Sequence, residues 1–182
     1  MIDTLLQRNS HARLTDPGPG EDDLQTILAA GLRAPDHGRL RPWRFVLIAG
    51  DRRADLGQVF EQSLLSANPE ATHAERDKAR NALLRAPVVI AGLVCPVEHP
   101  KIPRSEQLAA VACALYGMQL SADCLGFGSV WRTGHYARDA HVLEALGGSA
   151  DQEVVGFLYI GTRQGEPKPL VRESLAEHID YY

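Results

Sequence analysis

The sequence predicts an α+β sandwich, and three observations carry that expectation. Pro87 to Cys95 (PVVIAGLVC) and Val154 to Gly161 (VVGFLYIG) are apolar without alternation, the pattern of strands covered on both faces. A single helical stretch from about Arg104 to Leu125 is apolar on nearly every side between Leu108 and Leu120. Helices and strands also follow one another without the regular βαβ rhythm of a doubly wound sheet.

Taken in order, Ile2 to Gln7 reads as a short amphipathic helix with Ile2, Leu5 and Leu6 on one face. Asp16-Pro17-Gly18-Pro19-Gly20 is a rigid turn. Glu21, Asp22 and Asp23 then suit a helix N-terminus, where the backbone dipole favours negative charge. Leu24, Ile27, Leu28 and Leu32 keep helical spacing, and Pro35 ends that helix near Arg33. Trp43 to Ala49 (WRFVLIA) is a strand rich in aromatic and β-branched residues.

Asp51 is expected to cap a helix whose stripe is Leu56, Val59, Phe60 and Leu64. Asn68-Pro69 predicts a further helix from Pro69 to about Leu84, charged and exposed. Gly126 to Gly134 (GFGSVWRTG) reads as a short strand ending in an arginine and a glycine. Ala137 to Leu146 is expected to be helical and to stop at Gly147-Gly148. The tail from Thr162 to Tyr182 is polar and proline-punctuated, so it should wrap a surface.

At 182 residues the chain (1–182) is expected to be one domain with enough length for a real core. A formal net charge of -4 argues against nucleic-acid or membrane-surface binding, which would show a basic excess. The longest purely apolar run, Leu108 to Leu115, is far too short to span a bilayer. The amino terminus lacks a basic region followed by an apolar core, so no signal peptide is read there. The three cysteines form no C-x-x-C, and the seven histidines form no H-x-x-H. These patterns indicate no metal site, and a cytoplasmic protein with reduced thiols. Cys113 and Cys124 lie roughly 16 Å apart along one helix, too far for a disulfide.

Two stretches bear on function. Arg33 to Arg44 crowds Arg33, His37, Arg39, Arg41 and Arg44 into one helix-to-strand connection. Such a loop suits a ligand that is anionic at one end and flat at the other; the alternative is a solvated basic turn stiffened by Pro42. Gly126 to Gly134 would let backbone approach a flat ligand with Trp131 against it; the alternative is a core strand with a buried tryptophan. Gly-Phe-Gly lacks the third glycine of a dinucleotide fingerprint. Arg8 and Ser10 can offer a guanidinium fork and a hydroxyl to one phosphate, or be a plain surface turn. The all-round apolar helix fits burial at a homodimer interface or between a sheet and surface helices.

Together these stretches resemble the nitroreductase family of flavin enzymes. The resemblance runs nearly end to end. It rests on Arg8-x-Ser10 after an N-terminal helix, RAPDHGRLRPWRF from Arg33, GFGSVWRTG from Gly126 and VGFLYIGT from Val155. Within the family, the sequence resembles the small YdjA-type NAD(P)H nitroreductases, which share the APDH and WR-(S/T)-G forms. The resemblance implies a nitroreductase-like α+β fold, with a mixed central sheet flanked by helices, in a wrapped homodimer. It also implies FMN at the dimer interface and NAD(P)H as electron donor.

Carried over by position, Arg8, Asn9 and Ser10 correspond to the phosphate grip. Arg33 and His37 correspond to further FMN contacts, His37 from the partner subunit. Trp131, Arg132 and Thr133 correspond to the segment along the flavin. A nicotinamide-cofactor contact falls on Ser121, Ala122, Asp123, Cys124, Leu125 and Gly126, although a helix C-terminus repels phosphates. Three positions depart from the family pattern. Ala12 replaces a basic residue at the flavin N1/O2 edge, with Arg13 one later. Arg41 replaces a glutamine, and either Lys168 or Arg172 corresponds to the one C-terminal phosphate-binding cation of relatives. Arg39 or Arg41 is the expected substitute for the missing N1/O2 cation.

The resemblance implies ping-pong hydride transfer from NAD(P)H through FMN N5 to a small, flat, electron-poor acceptor such as a nitroaromatic or quinone. No protein general acid or nucleophile is nominated, because the cofactor carries the chemistry. Alkene reduction or dehalogenation on the same fold, or a non-catalytic flavin-binding dimer, remain as alternatives.

Overall fold

A computed structural model of the chain describes residues 2–166, 168–171 and 173–182. The expected helices and strands form an α+β arrangement. Helix α1 (Ile2–Gln7) leads to the short strand β1 (Leu14–Thr15) and helix α2 (Glu21–Gly31). Strand β2 (Trp43–Ala49), helix α3 (Arg52–Ala67), helix α4 (His73–Arg80) and strand β3 (Val88–Val94) follow. The long helix α5 (Arg104–Cys124) precedes strand β4 (Gly128–Arg132), helix α6 (Ala140–Ala145) and the longest strand, β5 (Glu153–Arg163).

β5 is the hub of the sheet. β3 lies on it with Val88 opposite Ile160, and β2 continues beyond β3 with Phe45 opposite Gly92. β4 pairs with β5 so that Trp131 faces Leu158 and Arg132 faces Phe157, while β1 pairs at its far end. All these pairings are antiparallel, which corrects the expectation of a mixed sheet among the described residues. Hydrophobic runs carry no direction, so only the connections between strands decide this point.

Each sheet face carries its own core. On one side α2 and α5 cover Val88, Ile90, Leu158 and Ile160 with Ile27, Leu115 and Met118. On the other, Phe60 of α3 packs with Leu83, Val89, Leu93, Phe157 and Tyr159. Leu115, Met118, Ile90, Leu158 and Ile160 are wholly buried, each contributing about 1.5–3 kcal/mol relative to exposure.

Several local expectations change. The helix expected from Pro69 begins instead at His73, with Thr72 as its cap. The Thr72 hydroxyl accepts from the Glu75 N–H, and Glu75 accepts from the Thr72 N–H at 2.8 Å, a reciprocal capping box. Its downstream end is also shorter, Leu83–Arg85 being a separate 3-10 turn. Asp51 precedes α3, but its side chain makes no capping hydrogen bond. The helix expected over Ala137 to Leu146 divides at Asp139: a 3-10 turn spans His135–Arg138, and Asp139 caps α6 by accepting from the N–H groups of His141 and Val142. Among the described residues no helix is long and apolar enough to cross a membrane.

Candidate functional site

The predicted site residues gather at two places along α5. At its C-terminal end the chain turns through Leu125 and Gly126 into β4, with the Phe127 N–H bonded to the Ala122 carbonyl at 2.9 Å. Arg163, closing β5, donates from Nε to the Phe127 carbonyl at 3.0 Å and pairs with the Asp123 carboxylate. The His11 N–H donates to the Ser129 carbonyl at 2.9 Å, seating Arg8 to His11 against β4. A Cβ at Gly128 would meet Arg163 and Leu14 side-chain atoms at 2.8 Å, so glycine permits this close approach.

Arg8, Asn9 and Ser10 therefore stand together, half-buried, beside the start of β4. Asn9 fixes the turn by accepting from the Ser10 N–H at 2.9 Å and donating to the Lys168 carbonyl at 2.6 Å. The tail thus brings the Lys168 backbone to the Arg8–Ser10 segment, a meeting that the polar tail sequence gave no periodic signal to find. Arg172, the other tail candidate, lies outside the described residues. Neither Arg8 nor Lys168 forms a salt bridge among the described residues. Burial and the nearby Arg163 cation lower the His11 pKa, favouring a neutral ring, and its Nδ1 has no partner among the described residues.

His37 is elsewhere. Its Nδ1 lies 2.7 Å from Glu106 Oε2 in the first turn of α5. Glu106 and Asp123 are separated by about 25 Å along the helix at 1.5 Å per residue. Arg33, exposed just after α2, also makes no salt bridge among the described residues. The structure unites Arg8, Asn9 and Ser10, but it does not bring His37 to them within one chain.

Trp131 and Arg132 point to opposite faces of β4, as successive strand residues must. Trp131 shares the α5 face with Leu158, and a Cβ at Gly156 would collide with its indole. The indole Nε1 is buried without a partner among the described residues. The Arg132 guanidinium instead lies over the Tyr159 ring, 5.6 Å from its centroid, on the α3 face. Burial pushes the Tyr159 phenol up to about 12, opposed by that guanidinium. Thr133 is exposed at the strand end. Over Ser121 to Gly126 only Ala122 is fully buried, while Cys124, Leu125 and Gly126 are exposed.

Residues 5–162 match the model of the nitroreductase family. The chain belongs to the nitroreductase family. It is 41% identical over 163 residues to the Escherichia coli (strain K12) protein named "Putative NAD(P)H nitroreductase YdjA", covering 90% of this chain and 88% of that one. A Haemophilus influenzae protein named "Putative NAD(P)H nitroreductase" is 33% identical over 160 residues, covering 87% of this chain and 85% of that one. Among solved structures, a nitroreductase-like family protein from Bacillus cereus superposes with a TM-score of 0.83 at 26% identity, covering 100% of this chain and 95% of that one. A nitroreductase with bound FMN from Bacteroides fragilis shares the fold at a TM-score of 0.75 and 21% identity, covering 100% of this chain and 97% of that one. The nitroreductase fold thus accounts for the five-stranded sheet and the long helix beside it.

Proposed function

We propose that this chain is an FMN-dependent NAD(P)H oxidoreductase that works as a homodimer, with each FMN held by residues of both subunits. One observation carries the reading: Arg8 to Ser10 and His37 stand by opposite ends of α5, whose Glu106 and Asp123 are about 25 Å apart along the axis. If two α5 helices pack antiparallel, the N-terminal end of one meets the C-terminal end of the other, and both groups reach one ligand. The free face of α5 supports such packing. Ala109, Cys113, Tyr116 and Cys124 are exposed at helical spacing, with Ala112 and Leu120 half-buried beside them. Ile2, Leu5 and Leu6 of α1 are exposed as well.

The residues fit FMN. Arg8 and Lys168 are cations without a salt bridge among the described residues, and the Lys168 backbone is tied to Asn9 next to Ser10, residue types suited to a phosphate monoester. The Trp131 indole carries a buried N–H without a partner among the described residues, on the α5 side. Arg132 contributes through its backbone, since its side chain faces the other way. Arg33 and His37 come from the partner subunit, His37 as a hydrogen-bonding group oriented by Glu106.

When bound, FMN supplies hydride transfer between NAD(P)H and a flat electron-poor acceptor such as a nitroaromatic or quinone. Cys124, Leu125 and Gly126 offer the exposed part of the donor contact. The negative end of the α5 dipole favours the uncharged end of the donor there, not its phosphates. Asp123 holds Arg163, and Ala122 and Ser121 back the turn from beneath.

The test is an anaerobic absorption spectrum of the purified protein saturated with FMN, before and after NADPH, with its mass in solution. A dimer whose flavin band bleaches supports the proposal. A monomer, or a flavin band that neither NADPH nor NADH bleaches, overturns it.

A further inference from the structure

A cleft of about 550 Å³ opens beside the loop between α2 and β2. Arg33, Arg39, Arg41, Asp36 and Trp43 line it. None of the three arginines forms a salt bridge among the described residues. The one carboxylate in the cleft, Asp36, already accepts from the Arg41 backbone N–H at 2.7 Å. Three guanidinium groups against one carboxylate leave an excess of two positive charges, on a chain whose formal net charge is -4.

The backbone is bent to make this arrangement. Arg39 and Arg41 have φ of 54° and 51°, the left-handed region that long side chains avoid. The Arg39 N–H bonds the Asp36 carbonyl at 3.2 Å, so Asp36 anchors both bends. An ordinary turn would place glycine or asparagine at such positions. Trp43, half-buried at the start of β2, forms the aromatic wall.

We propose that this cleft binds the adenosine 2′-phosphate end of NADPH and makes the chain prefer NADPH over NADH. A phosphate monoester near neutral pH carries close to two negative charges, the number that the Arg39 and Arg41 guanidinium groups can answer while Arg33 serves FMN. Guanidinium forks bind such oxygens in pairs, and the indole offers a stacking surface for adenine. Arg33, proposed above to contact FMN, also lines the cleft, so the cleft adjoins the proposed flavin site. The inference rests on NAD(P)H being the electron donor. The same chemistry could come from the 5′-phosphate of FMN, and the experiment separates the two.

The experiment is calorimetric titration of the FMN-saturated protein with adenosine 2′,5′-bisphosphate and, separately, 5′-AMP. It is repeated for Arg39→Gly and Arg41→Gly, because glycine keeps the backbone N–H bonds and accepts the positive φ. The bisphosphate should bind at least tenfold tighter than AMP, and each variant should lose most of that margin. The ratio of kcat/KM for NADPH to that for NADH should fall at least tenfold in parallel. Equal binding of the two nucleotides by the unaltered protein overturns the proposal. So does a variant that loses FMN affinity while keeping its bisphosphate margin, which assigns the cleft to FMN. Flavin reduction by NADH and NADPH at equal efficiency, without a bisphosphate margin, removes the cleft assignment and leaves the oxidoreductase reading standing. If neither donor reduces the flavin, the oxidoreductase reading fails while the nucleotide titration still decides the cleft.

Discussion

Glu61 is the residue where burial and charge meet most sharply. It is only 8% exposed, yet it stays ionised by accepting from Arg76 Nε at 2.8 Å and from Arg80 Nε and Nη2 at 2.7 Å. The Arg80 bonds first, and then Arg76, hold its carboxyl at about 2 in place of 4.5. A carboxyl lowered on folding stabilises the native state above its unfolded pKa, and that stabilisation is lost as pH falls toward the folded value. Glu61→Gln should therefore lower the thermal midpoint at pH 7. The gap from the unaltered protein should close as pH drops from 4.5 to about 2. A gap that stays constant across that window would remove the ionic origin. Function follows indirectly: the clamp ties α3 to α4, and both cover the sheet face behind Arg132.

At the scale of elements, strands were more legible than helix starts. WRFVLIA, VVIAGLV and VVGFLYIG announce themselves by β-branched and aromatic density, and β2, β3 and β5 fall on those runs. Asn68-Pro69 misled because it satisfies the local rule for a helix start, while Thr72-x-x-Glu75, four residues on, satisfies it reciprocally. Two matched partners outcompete one. Thr72→Ala should destabilise the protein by about 1 kcal/mol in denaturant unfolding. An equal loss on Asn68→Ala would return the cap to Asn68. The break at Asp139 was hidden because its partner is remote: Ser63 in α3 donates to Asp139 at 2.7 Å and lies 3.1 Å from His135 Nε2.

At the scale of the whole molecule, the proposed site residues are legible in the sequence as types and illegible as a constellation. Arg8, Ser10, Arg33 and His37 each stand out in the sequence, but nothing local says that α5 holds the two groups apart. That length makes a sharp prediction about assembly. Arg8→Ala and His37→Ala should each weaken FMN binding as pure dimers, because every site lacks one contact. Unfolding and refolding the two variants together yields mixed dimers. In a mixed dimer one site joins both defects and the other joins Arg8 and His37 from two intact positions. With random pairing, about a quarter of all sites should regain the unaltered FMN affinity, since half the dimers are mixed and each holds one whole site. Fluorescence titration of the co-refolded sample should then show a tight phase of that amplitude, absent when the variants are mixed without unfolding. If each FMN were held by a single chain, no subunit exchange would restore a tight phase, and the antiparallel arrangement of the two α5 helices would have to be given up.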